Sequence, residues 1–412
     1  MKMKKVLAIL LSVAVLATVC VCLVACGGNG EEEMKPIAKE EIKIGLICLH
    51  DANSTYDKNF IDAMDVAKKE LGLRDDQVIV VTGVPEGDEC YQKACNLADE
   101  GCDIIFADSF GHEPYMIKAA KEYPNVQFCH ATGTKAHTEK LANYHNAFAS
   151  IYEGRYLAGI AAGMKLNEMI AAGKFTAEEA KIGYVGAYPY AEVKSGYTSF
   201  FLGARSVCPT ATMEVTFTGE WYHETKENNA ATNLINRGCK LISQHADSMG
   251  APNACEAAGI PNVSYNGSTI AHCPKTFIVS SRINWAPYYQ FAIENVIKGE
   301  KFGYDWTGTL ATGSVVLTDI NEKVAAAGTK AAIEEAKAKL ENGTLKVFDT
   351  SKFTVNGKKL TTFLADVDDF NDFKGETEVV INGIFEESAK RSAPYFTLDI
   401  DGITNIDAEK KN

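Results

Sequence analysis

The sequence contains one unit twice. Lys43-Ile44-Gly45 recurs as Lys181-Ile182-Gly183, and Thr82-Gly83 recurs as Thr218-Gly219. Gly101-Cys102 before Ile104-Ile105 recurs as Gly238-Cys239 before Leu241-Ile242, Asp108-Ser109 as Asp247-Ser248, and Pro124-Asn125-Val126 as Pro261-Asn262-Val263. Each match is weak alone, but all five keep one order at offsets of 136 to 139 residues. Self-similarity of that kind means that one structural unit is built twice.

Each copy alternates short apolar runs with segments of helical periodicity. In the first copy, strands are expected at 42–48, 78–81, 103–106 and 126–129, and helices at 57–71, 88–100 and 114–123. Phe60, Met64, Ala67 and Leu71 carry the spacing of one helical face, and Pro114 opens the third helix. The second copy repeats the pattern, with strands at 182–185, 214–217, 241–243 and 262–264 and helices at 192–207, 224–237 and 250–258. Continuous apolar strands between amphipathic helices predict parallel sheets covered on both faces.

Two similar α/β lobes follow, and ligands of open α/β sheets sit beyond the carboxyl ends of the strands. The residues just after each strand are therefore the candidates. In the first lobe these are Asp51, Asn53 and Tyr56, then Ser109 and Phe110, with Asp108 beside them. In the second they are Trp221, His245, Asp247 and Asn266. An aromatic face stacks on a flat or ring-shaped ligand while acids, amides and hydroxyls bond its polar edge. Trp221 has polar neighbours, Glu220, Tyr222 and His223, which favours a cleft position over plain core. Arg155 and Glu153 are expected in surface or interlobe ion pairs rather than in a site.

The chain opens with Lys2, Lys4 and Lys5, an apolar run from Val6 to Ala25, and Leu23-Val24-Ala25-Cys26. This describes an export signal over residues 1–25. The last four residues resemble a bacterial lipoprotein box, which would make Cys26 the lipid-carrying mature N-terminus. An uncleaved membrane anchor is the rival reading. Residues 26–41 begin glycine-rich and turn acidic, as a flexible tether would. Nine further cysteines remain, an odd number without a CxxC pair. Buried reduced thiols are expected rather than zinc or a full disulfide set. The formal net charge of −13 argues against a nucleic-acid partner.

At this point a family resemblance stands out. Tyr152-Glu153-Gly154-Arg155-Tyr156-Leu157-Ala158-Gly159, Lys181-Ile182-Gly183-Tyr184-Val185, Gln244-His245-Ala246-Asp247-Ser248 and Asn284-Trp285-Ala286-Pro287-Tyr288-Tyr289 occur in order. The chain resembles the basic membrane protein family of substrate-binding lipoproteins that serve ABC transporters. The resemblance covers roughly 42–300 and is looser over 306–412. It implies a type I periplasmic-binding-protein fold: two Rossmann-like lobes, a hinge of crossover strands and a ligand cleft between them. Lobe one would take 42–150 and about 280–305, and lobe two 151–279 and about 306–412. The implied ligand is a purine nucleoside or nucleobase, and the implied partners are permease subunits and the membrane, through the lipid on Cys26. Asn284 and Trp285 would belong to the crossover and the ligand set. Ser54 replaces a larger aromatic of many relatives, and Asn266 an Asp that holds ribose hydroxyls in several.

Other classes find less support. His223-Glu224 and His112-Glu113 lack the second histidine of a zincin, with Glu227 and Met116 in its place. No GxSxG, P-loop or GxGxxG is present. No enzyme activity and no cofactor is expected. Alternatives to purine import are a binding protein for another small ligand such as a sugar, and a ligand-presenting sensor or adhesin.

Overall fold

The structure is a computed structural model, and it describes residues 34–368 and 374–409. The expected signal segment, Cys26 and the first part of the tether lie outside the described residues. The first half of the chain forms β1 (Ile44–Ile47), β2 (Val78–Val81), β3 (Ile104–Ala107), β4 (Gln127–Ala131) and β5 (Tyr144–Ala149). The second half forms β6 (Lys181–Gly186), β7 (Thr212–Phe217), β8 (Leu241–His245), β9 (Asn262–Tyr265) and β10 (Phe277–Ile283), followed by β11 (Asp305–Gly308) and β12 (Val315–Leu317). One sheet has the order β11-β5-β4-β3-β1-β2; the other runs β12-β10-β9-β8-β6-β7 and ends on strand Ile403–Asn405. The 2-1-3-4-5 order of the first sheet is repeated as 7-6-8-9-10 in the second, so the repeated motifs occupy matching strands. All pairings in the two sheets are parallel except β10 with β12.

β1, β3, β4 and β5 are buried along their whole length, as parallel strands covered on both faces must be. The second lobe is tightened by two helices, Ile151–Ala171 and Ala191–Val207, which touch backbone to backbone. A Cβ on Gly159 would stand 2.0 Å from the carbonyl oxygen of Phe200, and one on Gly203 2.0 Å from that of Tyr156. Only glycine permits that approach.

The chain passes between lobes three times. It leaves β5 through Ser150 into helix Ile151–Ala171, leaves β10 through Asn284 into helix Ala286–Lys298, and runs from β11 to β12. These passages are tied together. Ser150 N donates to Gly308 O (2.8 Å) and Asn284 N to Ser314 O (2.7 Å), while Asn284 Nδ2 donates to Gly313 O (3.1 Å). β10 thus belongs wholly to the second sheet and β11 to the first, so the passages fall a few residues beyond the positions about 280 and about 305 expected from sequence. The C-terminal region touches both lobes. Ser392 N and Oγ donate to Asp305 Oδ1 at 2.7 and 2.6 Å, and Asp407 accepts from Phe217 N at 2.7 Å.

The nine cysteines after the tether are all free, and all but Cys95 are buried. No described helix is long and apolar enough to cross a membrane.

Candidate functional site

The cleft lies where strand order reverses in each sheet, beyond the carboxyl ends of β1, β3, β6 and β8. Leu49, His50, Tyr56, Asp57, Ser109, Phe110 and Thr132 line it from the first lobe, and Glu192, Trp221, His245, Asp247 and Tyr265 from the second. Its empty space, including the part open to solvent, is about 370 Å³. The lobes meet around it. Thr55 N donates to Asp247 O across the gap at 3.1 Å, and the rings of Phe110 and Tyr190 meet at 5.3 Å between centroids.

Local structure fixes each side chain. Ser54 caps helix Thr55–Leu71 by accepting from Asp57 N, and its hydroxyl donates to Asp57 Oδ2 at 2.5 Å. His50 N donates to Asp57 Oδ1 at 2.7 Å. Burial pushes the Asp57 carboxyl up, but these bonds from His50 and Ser54 outweigh it and hold the group below the usual range. Tyr56 donates its hydroxyl to Asp108 O at 2.7 Å. Ser109 and Gly111 are held by Glu86, at 2.5 and 2.8 Å, which aims Phe110 at the rim.

Asp108 lies deeper, with Oδ1 accepting from Leu49 N at 3.1 Å. Burial, and then the neighbouring Asp57, push its carboxyl well above the usual range. Ligand atoms of Cys48, Asp57 and Asp108 come within 4.8 Å of one another. Burial also pushes the Cys48 thiol up, and both Asp57 oxygens already accept bonds, from His50 N and Ser54 Oγ.

In the second lobe, Trp221 meets Tyr188 edge to face at 5.2 Å, and Tyr188 stacks on Tyr190 at 5.0 Å. His245 Nε2 lies 3.3 Å from Glu192 Oε1; burial lowers its pKa despite that carboxylate. Asp247 is pushed well up by burial, then by Asp57, Glu227 and Glu192. Beneath the rim, Arg155 is fully buried. It donates to Ser264 O (3.2 Å), Ser281 Oγ (3.3 Å), Tyr184 OH (3.0 Å) and Ser243 Oγ (2.9 Å). Its guanidinium carbon lies 4.9 Å from the Phe200 ring centre and 5.1 Å from that of Tyr265. This corrects the expectation of a surface or interlobe ion pair: Arg155 fastens the strand ends that carry His245, Asp247 and Tyr265. Glu153 likewise accepts from a backbone, Leu310 N at 2.9 Å.

Of the residues expected from sequence, Tyr56, Ser109, Phe110, Trp221, His245 and Asp247 come together in the lining. Asn266 stands just behind it, bonded to Asp247 and to Asn59. Four others do not reach the cleft. Asp51 and Asn53 are exposed, because Asp51 Oδ1 accepts from Asn53 N (2.9 Å) and turns the loop outward. Asn284 ties the passages between lobes. Trp285 is core, stacked on Phe60 at 4.5 Å, and Phe60 in turn supports Tyr56 at 4.9 Å.

Sequence reading missed Asp57, Thr132, Glu192 and Tyr265. Acids in a helix's first turn are common for capping reasons alone, so Asp57 and Glu192 carried no separate signal. Thr132 is more telling. It has a φ of 68°, a conformation costly for a β-branched residue, and its buried hydroxyl has no partner. Strain of this kind tends to collect at binding sites. Thr132-Gly133 after β4 matches Asn266-Gly267 after β9, where Asn266 has a φ of 65°, a continuation of the repeat.

Comparison with known proteins agrees with this architecture. The profile of the family described as ABC transporter substrate-binding protein, PnrA-like, matches residues 49–349. The chain is 32% identical to a purine-binding protein of Brucella abortus over 321 residues, 76% of this chain and 84% of that one. It is 33% identical over 217 residues to a candidate ABC transporter glucose-binding protein of Haloferax volcanii, covering 53% of this chain and 52% of the other. A solved ABC transporter solute-binding protein of Aeropyrum pernix superposes with a TM-score of 0.64 at 18% identity, over 74% of this chain and 92% of that one.

Proposed function

The chain belongs to the PnrA-like family of ABC transporter substrate-binding proteins, and from that premise we propose that it captures a purine base or nucleoside for import. The observation that carries the reading is the composition of the cleft. Tyr56, Phe110 and Trp221 offer faces to a flat ring, while Asp57, Glu192 and Asp247 offer acceptors to its N–H groups. The lining holds three acidic side chains and, among the described residues, no lysine or arginine, so a neutral ring suits it and a phosphorylated nucleotide does not. The relative named as purine-binding supports the same ligand class.

Binding works by closure. The ligand stacks on one rim, the other lobe folds over it by bending the three passages, and contacts made only in the closed form shift the population. The closed pair of lobes then offers a surface to permease subunits. The protein is held outside the cytoplasm by lipid on Cys26, and it needs no cofactor and performs no chemistry on its ligand. A thermal-shift series with adenine, guanine, adenosine, guanosine, inosine, uridine and sugars tests the ligand class. The relative named as glucose-binding makes a sugar the second reading; a sugar response without a purine response selects it.

A further inference from the structure

Asn59 does not line the cleft, yet it reaches it through two amides. It sits in helix Thr55–Leu71 and is 5% exposed. Its Nδ2 crosses to the other lobe and donates to Asn266 Oδ1 at 3.3 Å. Asn266 Nδ2 then donates to Asp247 Oδ1, also at 3.3 Å. One turn before Asn59, Thr55 N and Oγ1 both donate to Asp247 O at 3.1 Å. Gly267 lets Thr55 come this close, since a Cβ there would stand 3.2 Å from its methyl group.

An amide has one end that donates and one that accepts. The Asn266 amide is engaged at both ends, by Asn59 on one side and by Asp247 on the other. Asn266 is also held in the left-handed region, which asparagine tolerates better than most residues.

We propose that Asn59 is a positioning residue of the binding site: through Asn266 it orients Asp247 when the lobes close. The lobe-one end of the relay exists only in the closed form, so closure and the readiness of Asp247 are one event. The position that the family resemblance assigns to a ribose-holding acid is here occupied by an amide already bonded within the protein. The proposal rests on the cleft reading above for the class of ligand, but not for the link from Asn59 to Asp247.

The test cuts the relay at each end. Asn59→Ser is too short to reach Asn266, and Asp247→Ala removes the group that the relay holds. With adenosine as the probe, N59S should bind at least about tenfold more weakly than wild type, and in the Asp247→Ala background the same substitution should add less than about twofold, because Asn59 acts through Asp247. A packing defect would cost the same in both backgrounds. An additive double variant overturns the proposal, as does unchanged affinity in folded N59S. If wild type binds glucose and not adenosine, the ligand reading falls, and the same cycle run with glucose should show the same lack of additivity.

Discussion

Trp221 and Tyr188 meet edge to face at 5.2 Å between ring centroids, at an interplanar angle of 67°. The contact comes from two separate loops of the second lobe, one after β6 and one after β7. It fixes the indole at the rim of the cleft, where it is half-buried and available for a ring to stack on. Trp221→Ala should weaken ligand binding by about 2 kcal/mol or more, the size of an aromatic hot spot. Only the backbone oxygen of Trp221 bonds to Asp247 N, so the fold should persist. Titration calorimetry beside a melting curve checks both; an unchanged affinity removes Trp221 from the site.

Thr132 separates strain from contact. Thr132→Gly relieves the backbone at a φ of 68° and should leave the empty protein at least as stable, while lowering affinity through loss of the hydroxyl. Thr132→Val keeps both the strain and the shape and should lower affinity alone. Binding that is equal in all three proteins would show that the unpartnered hydroxyl faces no ligand atom.

From a helix that starts at a passage between lobes, Arg155 bonds four second-sheet strands, at Tyr184, Ser243, Ser264 and Ser281. Arg155→Met should cost at least about 2 kcal/mol of stability, because it leaves buried carbonyl and hydroxyl groups without a donor. Affinity should fall further than Tm alone would suggest, since His245, Asp247 and Tyr265 lose their support. Chemical denaturation with parallel binding measurements tests this, and a variant of wild-type stability would refute the strand-fastening role.

His145 gives a pH signature. Its ring nitrogens lie 2.9 Å from Gly303 O and 3.0 Å from the Gln127 side chain. Burial lowers its pKa to about 4, with the Gly303 bond opposing. An unfolded histidine titrates near about 6.5. Between these values only the unfolded chain binds the proton, so the residue's share of stability falls as pH drops, by about 1.4 kcal/mol per unit. His145→Phe removes that share. The stability gap between wild type and variant at pH 7 should narrow at pH 5; a constant gap in denaturant melts would contradict the buried neutral ring.

Much of this architecture was legible in the repeated motifs. They share offsets because β1 to β4 and β6 to β9 are two copies of one sheet, and the strand-end rule led to Tyr56, Phe110, Trp221 and Asp247. The misses have physical causes. Asp57 and Glu192 sit in first turns of helices, where acids are ordinary, and only the folded loop shows that they turn into the cleft. The sequence places Arg155 in a surface or interlobe ion pair, though Gly154, Tyr156-Leu157-Ala158-Gly159 and Ile160-Ala161-Ala162-Gly163 around it leave that stretch of helix no polar face. A lone cation in such a stretch is a buried one. Asn284 and Trp285 carry a family motif whose job here is to tie and support the hinge, which a motif alone does not distinguish from contact with a ligand.

Calorimetric titration of the purified protein with adenine, guanine and their nucleosides, beside AMP and glucose, tests the central claim most directly. The account predicts saturable binding of at least one neutral purine, with affinity lost on phosphorylation and on Trp221→Ala. Binding of glucose with no response to any free purine or nucleoside, or binding of AMP as tightly as adenosine, would contradict it.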